Sequence, residues 1–173
     1  MKRRMILLLG VVSGLLAGGC AGAAASRARD QSGHDMLVGA WRGRVQFRAG
    51  PFAAVKDLEF MYVFNVGGTM TESSNYDASP PVPPAYGVWR AVGPGQFEAK
   101  YAFYQTKAPS AFDDIAKGNG WSPAGWGVLV EKIALAPDGK FFKSTIHLQM
   151  FDDAGQPTGG RQVAETQASR MDF

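Results

Sequence analysis

The sequence predicts an all-β domain: eight antiparallel strands in up-and-down order, rolled into a barrel, with one short helix in a loop. Three observations carry that expectation. Apolar and polar residues alternate with period two in eight runs, as half-buried strands require. Tight glycine turns and longer connections take turns between those runs. No long stretch carries a helical period.

The predicted strands are Val38–Arg48, Asp57–Val66, Gly68–Ser74, Tyr86–Val92, Gln96–Gln105, Gly127–Ala136, Lys140–Phe151 and Arg161–Met171. The second puts Leu58, Phe60, Tyr62 and Phe64 on one face. The fifth does the same with Phe97, Ala99, Tyr101 and Phe103, and the seventh with Phe142, Ser144, Ile146, Leu148 and Met150. "VGGT", "GPGQ" and "PDGK" read as hairpin turns in which glycine supplies positive φ. The remaining connections read as long: "AGPFAAVK", "NYDASPPVPPA", the segment from Thr106 to Trp126, and "DDAGQPTGG". Within the third, "SAFDDIAK" predicts a short helix capped by Ser110. Alternate connections of a meander fall at opposite ends. One end is therefore closed by tight turns, and the other is a mouth ringed by loops. Closure removes the unpaired edges of an open sheet. A barrel of eight strands holds one small ligand or is filled by side chains. Two packed sheets are the alternative architecture.

Residues 1–20, "MKRRMILLLGVVSGLLAGGC", have a basic start, an apolar run and small residues before Cys20. That order is a secretory signal, and the run is too short for a transmembrane helix. Cys20 is the single cysteine, so it has no disulfide partner in the chain. "LAGGC" resembles a bacterial lipobox. The resemblance implies lipidation of Cys20, with Ala21 behind it in place of aspartate, and a membrane anchor at the periplasmic face of the outer membrane. Several acyl chains give stable anchoring where one does not. Cleavage after "AGA" or "GAA", leaving a soluble secreted protein, is the alternative. Residues 21–36 are small and polar and read as a tether. Residues 37–173 suit one domain with one core. Lys and Arg number 18 against 15 Asp and Glu, and loss of Lys2, Arg3 and Arg4 leaves the charges balanced. The basic balance is thus a property of the signal and gives no argument for a nucleic acid partner.

In this topology the first strand leaves the closed end and the last returns to it. Trp41 and Arg170 should therefore meet there, an indole beneath a guanidinium, with Gly39 permitting close approach of the backbone. Gly39, Ala40 and Trp41 together with a terminal arginine resemble the lipocalins and the wider calycin group. "GGTMTESS", "GVWRAVGPGQFEAKY" and "LQMFDDAGQ" further resemble bacterial lipocalin-like proteins. The resemblance implies a barrel that binds a small hydrophobic molecule, plugged at its floor by Trp41 and Arg170.

Sets of catalytic residues are few. His34 and His147 form no zinc spacing with cysteine, so no metal or cofactor is implied. "GWSPAG" misses the spacing of a nucleophile elbow, and "GPGQFE" is a turn lacking the third glycine of a dinucleotide loop. Glu72 and Glu131 share faces with apolar residues and are the candidate catalytic groups. If they face inward, desolvation raises their pKa values. They then serve as a polar anchor for a ligand, as acid and base of a cyclase or isomerase, or as members of a structural hydrogen-bond network. Tyr62, Phe64, Trp89, Tyr101, Phe103 and Leu148 are candidate lining residues. Trp121 and Trp126 lie in or beside the longest loop and are candidates for its inner surface. The function expected from these residues is binding of a small hydrophobic molecule in the barrel. The alternatives are a cyclase or isomerase in the same barrel, or a structural envelope protein whose barrel is filled.

Lipidation makes a direct prediction. Cys20→Ser should move the protein from the membrane to the soluble fraction. Intact-mass analysis should find a diacylated or triacylated mature chain beginning at Cys20, and a mature chain beginning beyond Cys20 would refute the lipobox.

Overall fold

The computed structural model describes residues 35–76, 84–111, 113–117 and 120–172. Residues 1–34 with Cys20 and His34, Gly118, and all of "SPPVPP" but its last proline lie outside the described residues. The strands are β1 (Gly39–Phe47), β2 (Glu59–Phe64), β3 (Thr69–Ser74), β4 (Ala85–Gly93), β5 (Gln96–Lys107), β6 (Ser122–Leu135), β7 (Phe141–Phe151) and β8 (Pro157–Arg170). They form a closed antiparallel barrel in sequence order, with β8 returning to pair with β1. A 3₁₀ turn (Pro51–Ala54) sits in the β1–β2 connection, and one helical turn, α1 (Asp113–Ala116), lies between β5 and β6. The helix starts past Ser110, and the Asp114 carboxylate accepts the Ala111 N–H at 3.1 Å.

Alternation governs which way each side chain points. In β7, Phe142, Ser144, Ile146, Leu148 and Met150 are buried. In β5, Phe97, Ala99 and Tyr101 are buried. The intervening residues carry the solvent face, where Arg42 pairs with Glu59 and Arg90 with Glu98. Such exposed pairs contribute little to stability.

Two strands start earlier than their apolar pattern suggests. β6 extends back to Ser122 because β5 continues to Lys107 and pairs with it across a bulge. β8 extends back to Pro157 opposite Phe151. Thr158, Gly159 and Gly160 have no apolar alternation to advertise a strand. The β7–β8 connection is consequently a turn over 152–156, in place of the long loop read from "DDAGQPTGG". The Asp152 N–H donates to Gln156 O at 3.0 Å, and Asp152 Oδ1 accepts the Gln156 N–H at 2.8 Å. Three long connections, β1–β2, β3–β4 and β5–β6, thus alternate with tight turns along the chain.

The opposite end is solid. Trp41 is fully buried, donates its indole N–H to Leu37 O at 2.9 Å, and packs on Phe142 at 5.1 Å. The Arg170 guanidinium lies 4.3 Å from the centre of the Trp41 ring. Its nitrogens donate to Gly139 O at 2.9 Å, Val38 O at 2.7 Å and Met36 O. Gly39 has φ of 133°, and a Cβ there would lie 2.6 Å from Arg170 Nη1, so the site needs glycine. Trp89 ties down the β2–β3 turn through its indole N–H, which meets Asn65 O and Thr69 O at 3.1 Å each.

Removing the floor should be costly. Trp41→Ala deletes a fully buried aromatic, which costs about 3–5 kcal/mol and lowers Tm by roughly 10 °C or more. Thermal unfolding followed by circular dichroism checks it. An unchanged Tm would show that the indole does not support the barrel.

Candidate functional site

A polar belt crosses the middle of the barrel. Glu131 on β6 and Tyr101 on β5 are fully inside, with Ser144 on β7 opposite. The Tyr101 hydroxyl donates to Glu131 Oε2 at 2.7 Å, and the Ser144 hydroxyl donates to Oε1. The Tyr62 and Thr166 hydroxyls face the same cluster without a hydrogen bond of good geometry. Burial pushes Glu131 up from 4.5 to about 7, and the donated bonds from Ser144 and Tyr101 offset part of that rise. Burial first, then the charge of Glu131, holds both tyrosines well above their ordinary value of 10. Each oxygen of the buried Glu131 carboxylate thus has one donor, as buried polar groups require.

Below the belt the barrel is filled. Tyr62 stacks on Phe64 at 5.8 Å, Phe64 meets Trp89 at 5.9 Å, and Trp89 meets Phe97 at 5.8 Å. Above it lies a cavity of about 130 Å³. Phe47, Leu58, Phe60, Leu129 and Leu148 form its apolar wall, and Ala85 and Phe103 complete it. Phe52 and Tyr76 stand at the rim, on the β1–β2 and β3–β4 connections. Glu72, 5% exposed, and Ser74 are its polar members on β3. Gly127 makes room for the wall, since a Cβ there would lie 2.4 Å from the Phe103 ring.

The residues singled out from sequence divide accordingly. Phe103, Leu148 and Glu72 line the cavity. Tyr62, Phe64, Trp89 and Tyr101 belong to the belt and the filled half, because alternation sends them inward at the wrong height. Glu131 lies within the belt, outside the lining among the described residues. Trp126 is a correction. It sits within β6, and the alternation that turns Gly127, Leu129 and Glu131 inward turns it outward. It stacks on Phe151 at 5.5 Å, ring planes 17° apart. Trp121 is 43% exposed and is also absent from the lining. Phe47, Phe52, Leu58, Phe60 and Leu129 were missed as lining residues. Phe47, Leu58 and Phe60 lie on inward faces near the loop end, a usable signal; Leu129 lies midway along β6, and Phe52 follows a loop proline and gives none.

Among the described residues, no group of three or more His, Cys, Asp or Glu side chains gathers to hold a metal ion. Chemically, the cavity offers an apolar enclosure with one buried carboxylate. A scan against protein-family models and a search of curated proteins each found no match.

The raised pKa of Glu131 fixes the sign of a pH effect. Between 4.5 and about 7 the folded chain keeps a proton that the unfolded chain has released. This contribution to stability is complete below 4.5 and is lost as pH rises through about 7. Thermal melts across that range should show Tm falling with pH in the parent protein and a flatter profile in Glu131→Gln. Parallel profiles would assign the pH effect to other groups.

Proposed function

We propose that this chain is a lipocalin-like carrier of the cell envelope, anchored through Cys20 on the periplasmic face of the outer membrane. It holds a small, largely apolar molecule in the cavity at the mouth. The observation that carries this reading is the cavity itself, lined by aromatic and aliphatic side chains at the end of the barrel opposite the Trp41–Arg170 floor. Ligand sites have this composition, mostly apolar with a few placed polar groups. The volume sets a size class. An apolar cavity of about 150 Å³ takes a benzene-sized molecule, so one ring or a short branched chain fits here, and a longer ligand extends through the mouth. The floor of Trp41 and Arg170 makes that mouth the route of entry.

The position of Glu72 favours a second reading. A buried carboxylate beside an apolar cavity suits proton transfer within a bound molecule, the role of an isomerase or cyclase. Turnover of a bound compound, abolished in Glu72→Gln while binding persists, would establish it over the carrier.

Binding is tested with small aromatic and short aliphatic compounds, by calorimetry and by Tm. A ligand at a hundredfold excess over its Kd adds about 2.7 kcal/mol of stability. Ala85→Leu, which pushes a side chain into the cavity, should abolish binding and keep the fold. No tryptophan is among the described lining residues, so tryptophan emission should change little. Absence of binding across the series, or binding that ignores Ala85→Leu, refutes the reading.

A further inference from the structure

We infer that the ligand of this cavity is a small amine: an apolar body of about one ring carrying a protonated nitrogen that meets Glu72. The inference rests on the reading of the cavity as a ligand site and names the chemistry that site selects. Its lining has a marked charge asymmetry. The carboxyl group of Glu72, almost entirely withdrawn from solvent, stands on a wall that is apolar apart from Ser74 and the rim residue Tyr76. No lysine, arginine or histidine is among the described lining residues. The second acid of the rim, Asp57, accepts the Tyr76 hydroxyl at 3.1 Å, beside the mouth. The nearest cations on the β1–β2 connection are engaged elsewhere, Arg48 with Glu165 and Lys56 with the Ala53 carbonyl. Deeper in the barrel, Glu131 is a further acid on the same axis.

Three head groups can be weighed against this wall. A carboxylate ligand, such as a short fatty acid, would bring a second negative charge against Glu72 in a poorly hydrated space. One of the two would have to take up a proton. A neutral alcohol donates one ordinary hydrogen bond. An ammonium donates a charge-assisted bond, roughly twice as strong as a neutral one. A carboxylate accepts from more than one donor, so contacts Glu72 makes within the barrel are compatible with a ligand. The apolar wall then covers the rest of the molecule. Ser74, one inward position nearer the mouth on the same strand, adds a hydroxyl that can accept a second N–H.

The test uses three compounds with one body: benzylamine, benzyl alcohol and benzoate, titrated into the full chain by calorimetry near neutral pH. The expected order is amine, then alcohol, then carboxylate, with the amine tighter than the alcohol by about tenfold. Glu72→Gln should remove that preference, bringing amine and alcohol to within about threefold of each other in the variant. Benzoate binding as well as or better than benzylamine overturns the inference without touching the carrier reading. So does an amine preference that survives Glu72→Gln. The order in the parent protein decides the matter even if Glu72→Gln fails to fold. If none of the three binds and other bodies of this size do not, the carrier reading itself falls, and the inference with it.

Discussion

Pairing of β1 with β8 is the constraint on which the rest of the molecule depends. The ladder runs from Trp41 opposite Arg170 to Phe47 opposite Ala164. Without it the sheet would have two open edges and an apolar face exposed to water. With it, every inward side chain has neighbours across the barrel, and the interior becomes a volume with walls. Arg170 reinforces the seam from one side chain. Its forked donors join the end of β8 to the start of β1 and to the β6–β7 turn. A lysine offers a single point charge and could not reach these acceptors in the same plane.

Whether the enclosed volume is core or cavity is decided by side-chain size. Toward the floor the inward positions carry Trp41, Phe64, Trp89, Phe97 and Phe142, which interdigitate edge to face. Such tilted arrangements suit aromatic quadrupoles. Toward the mouth, Ser74 and Ala85 take inward positions, and the space they leave is the cavity. Between the two lies the belt of Tyr101, Glu131 and Ser144. It allows an ionisable group at the centre of the barrel because its oxygens have donors.

Much of this architecture was legible in the residues. Period-two alternation gave the strands, and turn chemistry gave their order. Together these placed Trp41 and Arg170 at one end, where they meet. The height of an inward residue was not legible, because strand tilt and shear set it and neither is written in a single strand's pattern. Phe64 ends β2 and Leu58 immediately precedes it with the same inward parity, yet one packs the floor and the other lines the cavity. Trp126 shows a second limit. Polar and glycine-rich ends of strands hide the continuation of the ladder, and with it the parity that turns a side chain outward. Phe52 shows a third, since a residue on a 3₁₀ turn reaches the rim through a connection that has no period.

The central belt also bears on how the chain chooses its pairing. β6 lies between β5 and β7, with Ala99 and Ile146 flanking Glu131. A slip of β6 by one residue would turn Glu131 to solvent and bring Lys132 into the interior. Nothing on the inner faces of the neighbouring strands matches an ammonium as Tyr101 and Ser144 match the carboxylate. The misaligned barrel would bury an unpaired charge and leave two hydroxyls without their acceptor, while the apolar residues of β6, present on both faces, would discriminate far less. The buried glutamate thus works as a selector among alternative folded states, raising the energy of the wrong one more than it lowers that of the right one.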